Sequence, residues 1–369
     1  MKIPFLSFSN MHMQIREQVL QSITECYDSH WYILGESVKN FEKKYAEYCS
    51  TKYAIGVSNG LDALTLCLKS VGVSAGDEII VPSNTYIATV LAATNIGAKV
   101  VFAEPDPLTL NITANSISSS LSSKTKVIIP VHLYGQSCEM EDIINLAHKN
   151  NIFIVEDNAQ SHGAFYKGKP TGSFGHVNAT SFYPGKNLGA IGDAGAVTTD
   201  NAELARKVRI YRNYGSEEKY INLEQGYNMR LDEIQASILS IKLDYLDTWN
   251  KERLRIATSY HDALKGIGDI DFQVMAKDAT HVYHLFIILT SHRDSLQKYL
   301  FENGISTLIH YPIPPHLQIA YRNEGYKVGD FPIAEKIANT IISLPLYIGM
   351  SENEQQYVID TIKNFYSNI

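Results

Sequence analysis

Cysteine is scarce in this chain of 369 residues: Cys26, Cys49, Cys67 and Cys138 lie far apart, and no two form a C-x-x-C pair. That spacing argues against a disulfide framework or a zinc site and fits a reducing cytoplasm. Long apolar runs are missing as well. No stretch of about 18 apolar residues is present to cross a bilayer. The opening MKIPFLSFSN has too short an apolar stretch for a signal peptide, so a cytoplasmic protein without membrane contact is expected. Basic clusters are absent: 32 lysines and arginines stand against 39 aspartates and glutamates, a net charge of −7. Nucleic acid is therefore not expected as a partner, because phosphate backbones demand a basic face. Neither G-x-G-x-x-G nor G-x-x-x-x-G-K-[ST] occurs, which removes both a dinucleotide fingerprint and a P-loop. No internal repeat or low-complexity tract is found.

What is present is a regular alternation between Tyr53 and Thr199 of short apolar runs and helical patterns. YAIGVS, EIIVPS, KVVFAE, VIIPVH and IFIVED each read as a buried strand, and NATSFY and AGAVTT as two more. Leu61, Leu64, Leu68 and Val71 recur at helical spacing in a segment closed by Gly72, and EMEDIINLAHKN behaves similarly. Strand–helix–strand order predicts an α/β fold with a mostly parallel central sheet and right-handed crossovers. Ligands of such sheets bind beyond the carboxyl ends of the strands. The stretches ending at Ser58-Asn59-Gly60, Asp157 and Tyr183 are therefore expected to meet in one crevice. From Asp232 to Leu264 the pattern predicts a long helix, whole or broken, leading from a large domain (residues 1–250) into a smaller C-terminal α+β domain (residues 251–369). In the latter, HVYHLFIIL reads as a strand, DSLQKYLFENG as a helix stopped by Gly304, and the C-terminal residues as a final helix.

Several stretches carry candidate chemistry. In SFYPGKNLGAIGDAGA the single cation, Lys186, stands among Phe182, Tyr183, Pro184, Leu188 and Ile191. One reading is a lysine whose stem packs on apolar neighbours while its ammonium reaches water. The other is a Schiff-base lysine, for which a partly dry pocket favours the neutral, nucleophilic amine, with Gly185 and Gly189 letting a ligand approach the backbone. In VEDNAQSHGA, Asp157 and Gln160 have the spacing of a helix capping box, but Gly163-Ala164 follow too soon for a convincing helix. A carboxylate at a buried strand end needs a cation or donors; a pyridinium nitrogen would serve, with Gln160 donating to a ring hydroxyl oxygen. VSNGLDAL is a strand, a turn and a helix start whose Gly60, Leu61 and Asp62 amides suit a phosphate. Tyr86 at the next helix start is either core or a stacking partner for a planar ring.

Taken in order, IPF, GDEIIVPSNTYIAT, EPDPLTLNI, VHLYGQ, VEDNAQSHGA, SFYPGKNLGAIGDAGA, GYNMRLDEIQA and YPIPPHLQ resemble the DegT-type nucleotide-sugar aminotransferases over nearly the whole chain. The resemblance implies the aspartate-aminotransferase-like fold (fold type I) and pyridoxal 5'-phosphate as cofactor. It implies that Lys186 is the Schiff-base lysine, Asp157 the partner of the pyridine nitrogen, Gln160 a contact to the ring oxygen and Tyr86 the stacking aromatic. Ser181 corresponds to a phosphate-binding hydroxyl beside the Gly60-Leu61 turn, and Asn228 to an asparagine reaching the phosphate from a neighbouring subunit. A homodimer with shared active sites is implied. The blocks look most like members that use L-glutamate to aminate C3 of dTDP-linked 3-keto-6-deoxyhexoses, giving galacto or gluco 3-amino-3,6-dideoxy sugars for surface polysaccharides, S-layer glycans or antibiotics. Amination at C4 of a dTDP- or UDP-4-keto sugar is the alternative. Tyr183, His310 and Tyr311 are the expected substrate contacts. Relatives with a histidine at the lysine position dehydrate instead; Lys186 speaks for transamination.

The histidines suggest no metal. His281 and His284 would face opposite sides of a strand, and His310 and His316 in the proline-rich YPIPPH region lack a third ligand, which favours a substrate-loop or surface role. The stretch DTWNKERLRIATSY reads as a solvated helix face. Two rival readings remain: a nicotinamide-dependent sugar oxidoreductase, opposed by the missing glycine fingerprint, and a non-catalytic sensor on the same fold, opposed by Lys186 and Asp157 together.

Overall fold

Every apolar run between Tyr53 and Thr199 becomes a strand in the computed structural model, which describes all residues from Met1 to Ile369. The strands are β1 (Tyr53–Val57), β2 (Glu78–Pro82), β3 (Lys99–Ala103), β4 (Thr125–Ile128), β5 (Phe153–Asp157), β6 (Val177–Ser181) and β7 (Gly195–Thr199). They form one sheet in the order β1-β7-β6-β5-β4-β2-β3. Only β7 runs antiparallel to its neighbours; the other pairings are parallel. β2 and β7 are buried at every position, which is why these strands read as continuous apolar or small runs rather than alternating ones. Helices α1 (Ser9–Asp28), α2 (Glu36–Tyr48), α3 (Gly60–Ser70), α4 (Ile87–Thr94), α5 (Met140–Asn150) and α6 (Ala202–Arg212) precede, separate or follow them. The chain reverses after α3 at Gly72, whose φ of 79° lies in the left-handed region that glycine takes without steric cost.

The register explains how distant segments meet. Gly195 pairs with Val57 on one side and Ser181 on the other, while Asp157 pairs with Ala179. The ends of β1 and β6 therefore stand level, and that of β5 lies within two residues of them, as expected from the strand order.

Residues Glu233–Leu264 form a single unbroken helix, α7, of 32 residues, about 48 Å long at the α-helical rise. Residue 250 falls inside it, so the two parts of the molecule share a helix rather than a linker. The first half packs Leu239, Leu243 and Leu246 with Phe41 and Tyr45 of α2. The second half carries Ile256, Ala257, Tyr260 and Leu264 into a separate core with Phe286, Ile288 and Ile342. That core is built on the antiparallel strands β8 (Asp271–Phe272), β9 (Phe286–Leu289) and β10 (Ile341–Leu344), with α8 (Arg293–Glu302) and α9 (Glu352–Ser367) against it. Ile3 belongs to it too, bridged to Ile305, so the start of the chain packs with its C-terminal part.

One expected strand is shorter than its apolar run. β9 begins at Phe286, because the backbone of the preceding residues bonds elsewhere: Val282 N–H reaches Gly135 and Leu285 N–H reaches Tyr134. The face-alternation argument for His281 and His284 thus fails, as neither lies on a strand. No helix of the molecule is long and apolar enough to cross a membrane.

Candidate active site

Beyond the ends of β1, β5 and β6 lies a cavity of about 920 Å³ whose walls come from both parts of the molecule. Lys186 is the only lysine lining it. The residue sits on the turn after β6, where its N–H donates to the Tyr183 carbonyl at 2.8 Å. Its Nζ makes no hydrogen bond or ion pair, and burial pulls its pKa down to about 8, against a smaller upward pull from Asp157. Removal from water disfavours the ammonium, so a reactive neutral amine is within easy reach at physiological pH. The two glycines of this turn divide their work. A Cβ on Gly185 would meet only ordinary contacts at 3.5 Å, and this residue lines the cavity. A Cβ on Gly189 would lie 2.2 Å from the Pro184 carbonyl, so Gly189 closes the turn and does not serve ligand access.

Asp157 ends β5, and no helix follows, which removes the capping-box reading. The residue is 5% exposed. Its carboxylate accepts from Thr89 Oγ1 at 3.0 Å and from the Ala159 amide at 3.1 Å. Burial still raises its pKa, outweighing these donors and the Lys186 charge. A buried carboxylate that lines a cavity with no cation in contact fits a protonated ring nitrogen.

Gln160 is held by Tyr134, whose N–H donates to Oε1 at 2.7 Å, while its Nε2 donates to the Tyr311 hydroxyl at 3.1 Å. One amide hydrogen is left over for the cavity it lines. Tyr86 precedes α4 and is 52% exposed; its ring stands 5.2 Å from that of Tyr311, tilted by 35°, and forms an aromatic wall of the cavity.

The phosphate cradle is narrower than the sequence suggests. Asn59 caps α3 by accepting the Asp62 amide at 2.8 Å, so Asp62 has no N–H to offer; Gly60 and Leu61 retain theirs. Ser181 faces them, and its Oγ accepts only the Tyr183 amide, at 3.3 Å, leaving its proton free. A Cβ on Gly60 would lie 2.5 Å from Ser181 Cβ. Two free amides at a helix N-terminus and a hydroxyl this close fit a phosphate group. Gly60→Ala must therefore push Ser181 aside. Overpacking of this kind costs about 1–3 kcal/mol, and urea unfolding should show that loss together with weaker retention of pyridoxal phosphate.

The expected substrate contacts line the same cavity. Tyr183 is exposed at its mouth, and Tyr311 carries the hydroxyl bound by Gln160. His310 Nδ1 bonds Ser343 Oγ at 2.8 Å, and burial with Lys186 nearby pushes its pKa down to about 4, so it is neutral. His316, expected on a loop surface or at substrate, is instead buried against Glu335 with 3.2 Å between Nε2 and Oε1. Asn228 does not line the cavity. It is exposed in this chain and paired through its backbone with Asn213.

Of the lining residues that escaped the sequence reading, two stand out for their chemistry. Arg253, placed on a supposed solvated face, is 5% exposed and turns into the cavity from α7. His284, weighed only as half of a metal pair, lines it as well. In the same helix Asn250 is buried, accepting from Asn187 Nδ2 at 2.8 Å and donating to the His162 carbonyl at 2.8 Å. Periodicity alone cannot reveal this, since the helix is packed on more than one face.

The model of the DegT/DnrJ/EryC1/StrS aminotransferase family matches residues 13–363. The chain belongs to this family. Over 363 residues it is 49% identical to a dTDP-3-amino-3,6-dideoxy-alpha-D-galactopyranose transaminase from Aneurinibacillus thermoaerophilus, covering 98% of this chain and 99% of that one. It is 41% identical to a dTDP-3-amino-3,4,6-trideoxy-alpha-D-glucose transaminase from Streptomyces venezuelae, with coverage of 100% and 97%. The crystal structure of DesV from S. venezuelae superposes with a TM-score of 0.98 at 41% identity, covering all of this chain and 99% of that one. Membership of an aminotransferase family, with an unpaired lysine in the same cavity as a buried aspartate, sets aside the nicotinamide-dependent reading.

Proposed function

We propose that this aminotransferase uses pyridoxal phosphate to move the amino group of L-glutamate onto C3 of a dTDP-linked 3-keto-6-deoxyhexose. The product is then a dTDP-3-amino-3,6-dideoxyhexose, of galacto configuration as in the relative that is 49% identical. The observation that carries the chemistry is Lys186 Nζ, free of any partner and with its pKa lowered, in the same cavity as the buried Asp157.

The cofactor supplies an electron sink when bound. The Gly60 and Leu61 amides and the Ser181 hydroxyl would hold its phosphate. Asp157 would keep the proton on the ring nitrogen, Gln160 would donate to the ring oxygen, and Tyr86 would cover a face of the ring. Lys186 Nζ takes the proton from the α-carbon of glutamate and, in the second half of the cycle, delivers one to C3 of the sugar. Tyr183, His310 and Tyr311 orient the sugar. Asn228, exposed and outside the lining of its own chain's cavity, completes the phosphate site of a second subunit, making the working unit a homodimer in the cytoplasm.

Two substrates that take turns in one cavity give ping-pong kinetics. Glutamate incubated with dTDP- and UDP-keto sugars, with products read by NMR, should yield a 3-amino dTDP sugar. A 4-amino product, or a sequential initial-rate pattern, contradicts the assignment. Because the Lys186 amine has a pKa of about 8, its neutral fraction rises with pH and saturates above that value. Cofactor-free protein should accordingly capture pyridoxal phosphate faster as pH rises through about 8, measured by the growth of visible absorbance; a flat profile counts against the assignment.

A further inference from the structure

A buried guanidinium ordinarily sits against a carboxylate. Arg253 does not. It is 5% exposed and forms no ion pair. Its protein contacts come from Nη1, which donates to the Tyr283 carbonyl at 3.2 Å and the His284 carbonyl at 3.5 Å. Neutral acceptors on one nitrogen leave most of the five N–H groups without a partner; the neighbouring Glu252 carboxylate acts on the charge only from a distance, its own bond being to the Gly349 amide. Burial lowers its pKa only to about 10, so it remains a cation at neutral pH.

Its position says which anion it serves. Asn250, one helical turn earlier, is bonded to Asn187, the residue after Lys186, so α7 delivers Arg253 to the lysine's side of the cavity. Beside it, His284 has a buried Nδ1 with no hydrogen-bond partner, and burial, with Lys186 and Arg253 nearby, keeps this ring uncharged. An amino acid reacting here must bring its amine to the place of Lys186 Nζ, and its α-carboxylate is only two bonds from that amine. The pyrophosphate of a nucleotide sugar is separated from C3 by the sugar ring and must lie farther towards the mouth.

We propose that Arg253, with His284 beside it, binds the α-carboxylate of the amino donor. This rests on the aminotransferase reading above and adds the residues that select an α-amino acid. Two N–H donors of the fork can meet two carboxylate oxygens, a geometry an ammonium does not reproduce.

The test separates the two halves of the reaction in the holoenzyme. α-Methyl-L-glutamate, which has no α-proton to lose, is titrated against the cofactor's absorbance to read binding alone. Arg253→Gln should weaken that binding by about 10- to 150-fold, the range for a lost hydrogen bond to a charged group. Single-turnover rates of the aminated enzyme with keto sugar should stay within about threefold of wild type. Wild type should prefer glutamate over 4-aminobutyrate, which lacks the α-carboxylate, and Arg253→Gln should lose most of that preference. If Arg253→Gln does not fold, Arg253→Lys keeps the charge without the fork and should show an intermediate loss. Unchanged α-methylglutamate affinity overturns the proposal. So does a loss confined to the keto-sugar half, which would assign the guanidinium to the pyrophosphate. A wild-type holoenzyme indifferent to glutamate overturns the donor assignment itself, and this proposal with it.

Discussion

Lys186→Ala should lower turnover with glutamate and a dTDP-keto sugar by at least about a thousandfold, since both the covalent and the proton-transfer roles vanish together. The fold should survive. Nζ makes no hydrogen bond or ion pair, and burial disfavours its charged form, so truncation removes no polar contact that holds the chain. Circular dichroism and the melting temperature of cofactor-free protein should match wild type or improve on it. No second lysine lines the cavity to take over. A variant that turned over within about tenfold of wild type would remove Lys186 from the mechanism.

Asp157→Asn has the next largest expected effect, with opposite signs in the two states of the protein. In the cofactor-free protein the carboxylate is costly: burial raises its folded pKa above the unfolded value. That cost is fully present above the folded pKa and disappears as pH falls through the usual carboxylate range. The asparagine variant without cofactor should therefore melt at the same or a higher temperature at neutral pH. With cofactor, the loss of a charge-assisted hydrogen bond to the ring nitrogen, about 1.5–3 kcal/mol, should cut kcat about 10- to 150-fold. It should also shrink the rise in melting temperature that pyridoxal phosphate produces. The Ala159 amide can still donate to the remaining oxygen, and the new amide nitrogen can donate to the Thr89 hydroxyl, so local structure should be kept. An unchanged kcat would mean that Asp157 does not control the ring nitrogen.

The residues legible in the sequence share a physical reason for being so. Strands buried on both faces write themselves as apolar runs, and the ends of β1, β5 and β6 carry Gly60, Asp157 and Ser181 to the same end of the sheet. Lys186 stood out because a cation among glycines and aromatics contradicts a solvated loop. What stayed hidden depends on tertiary packing. Arg253 lies in a helix of mixed charge, and only the docking of α7 between two cores decides that it faces inward. His284 belongs to an apolar run, but hydrogen bonds to Tyr134 and Gly135 pull the residues around it off the strand. The loss of the Asp62 amide to Asn59, and the use of Gly189 to close its own turn, are single contacts that no periodicity encodes.

Two lysines have pKa values pulled down to about 8, the partly buried Lys186 and the buried Lys242, and only the first lines the cavity. Lys242 Nζ instead donates to the Gly189 carbonyl at 2.6 Å. Borohydride reduction of the protein loaded with pyridoxal phosphate, followed by peptide mass mapping, is thus the most direct test. One adduct, on Lys186, is the expected result; no adduct, or one on Lys242, would contradict the account.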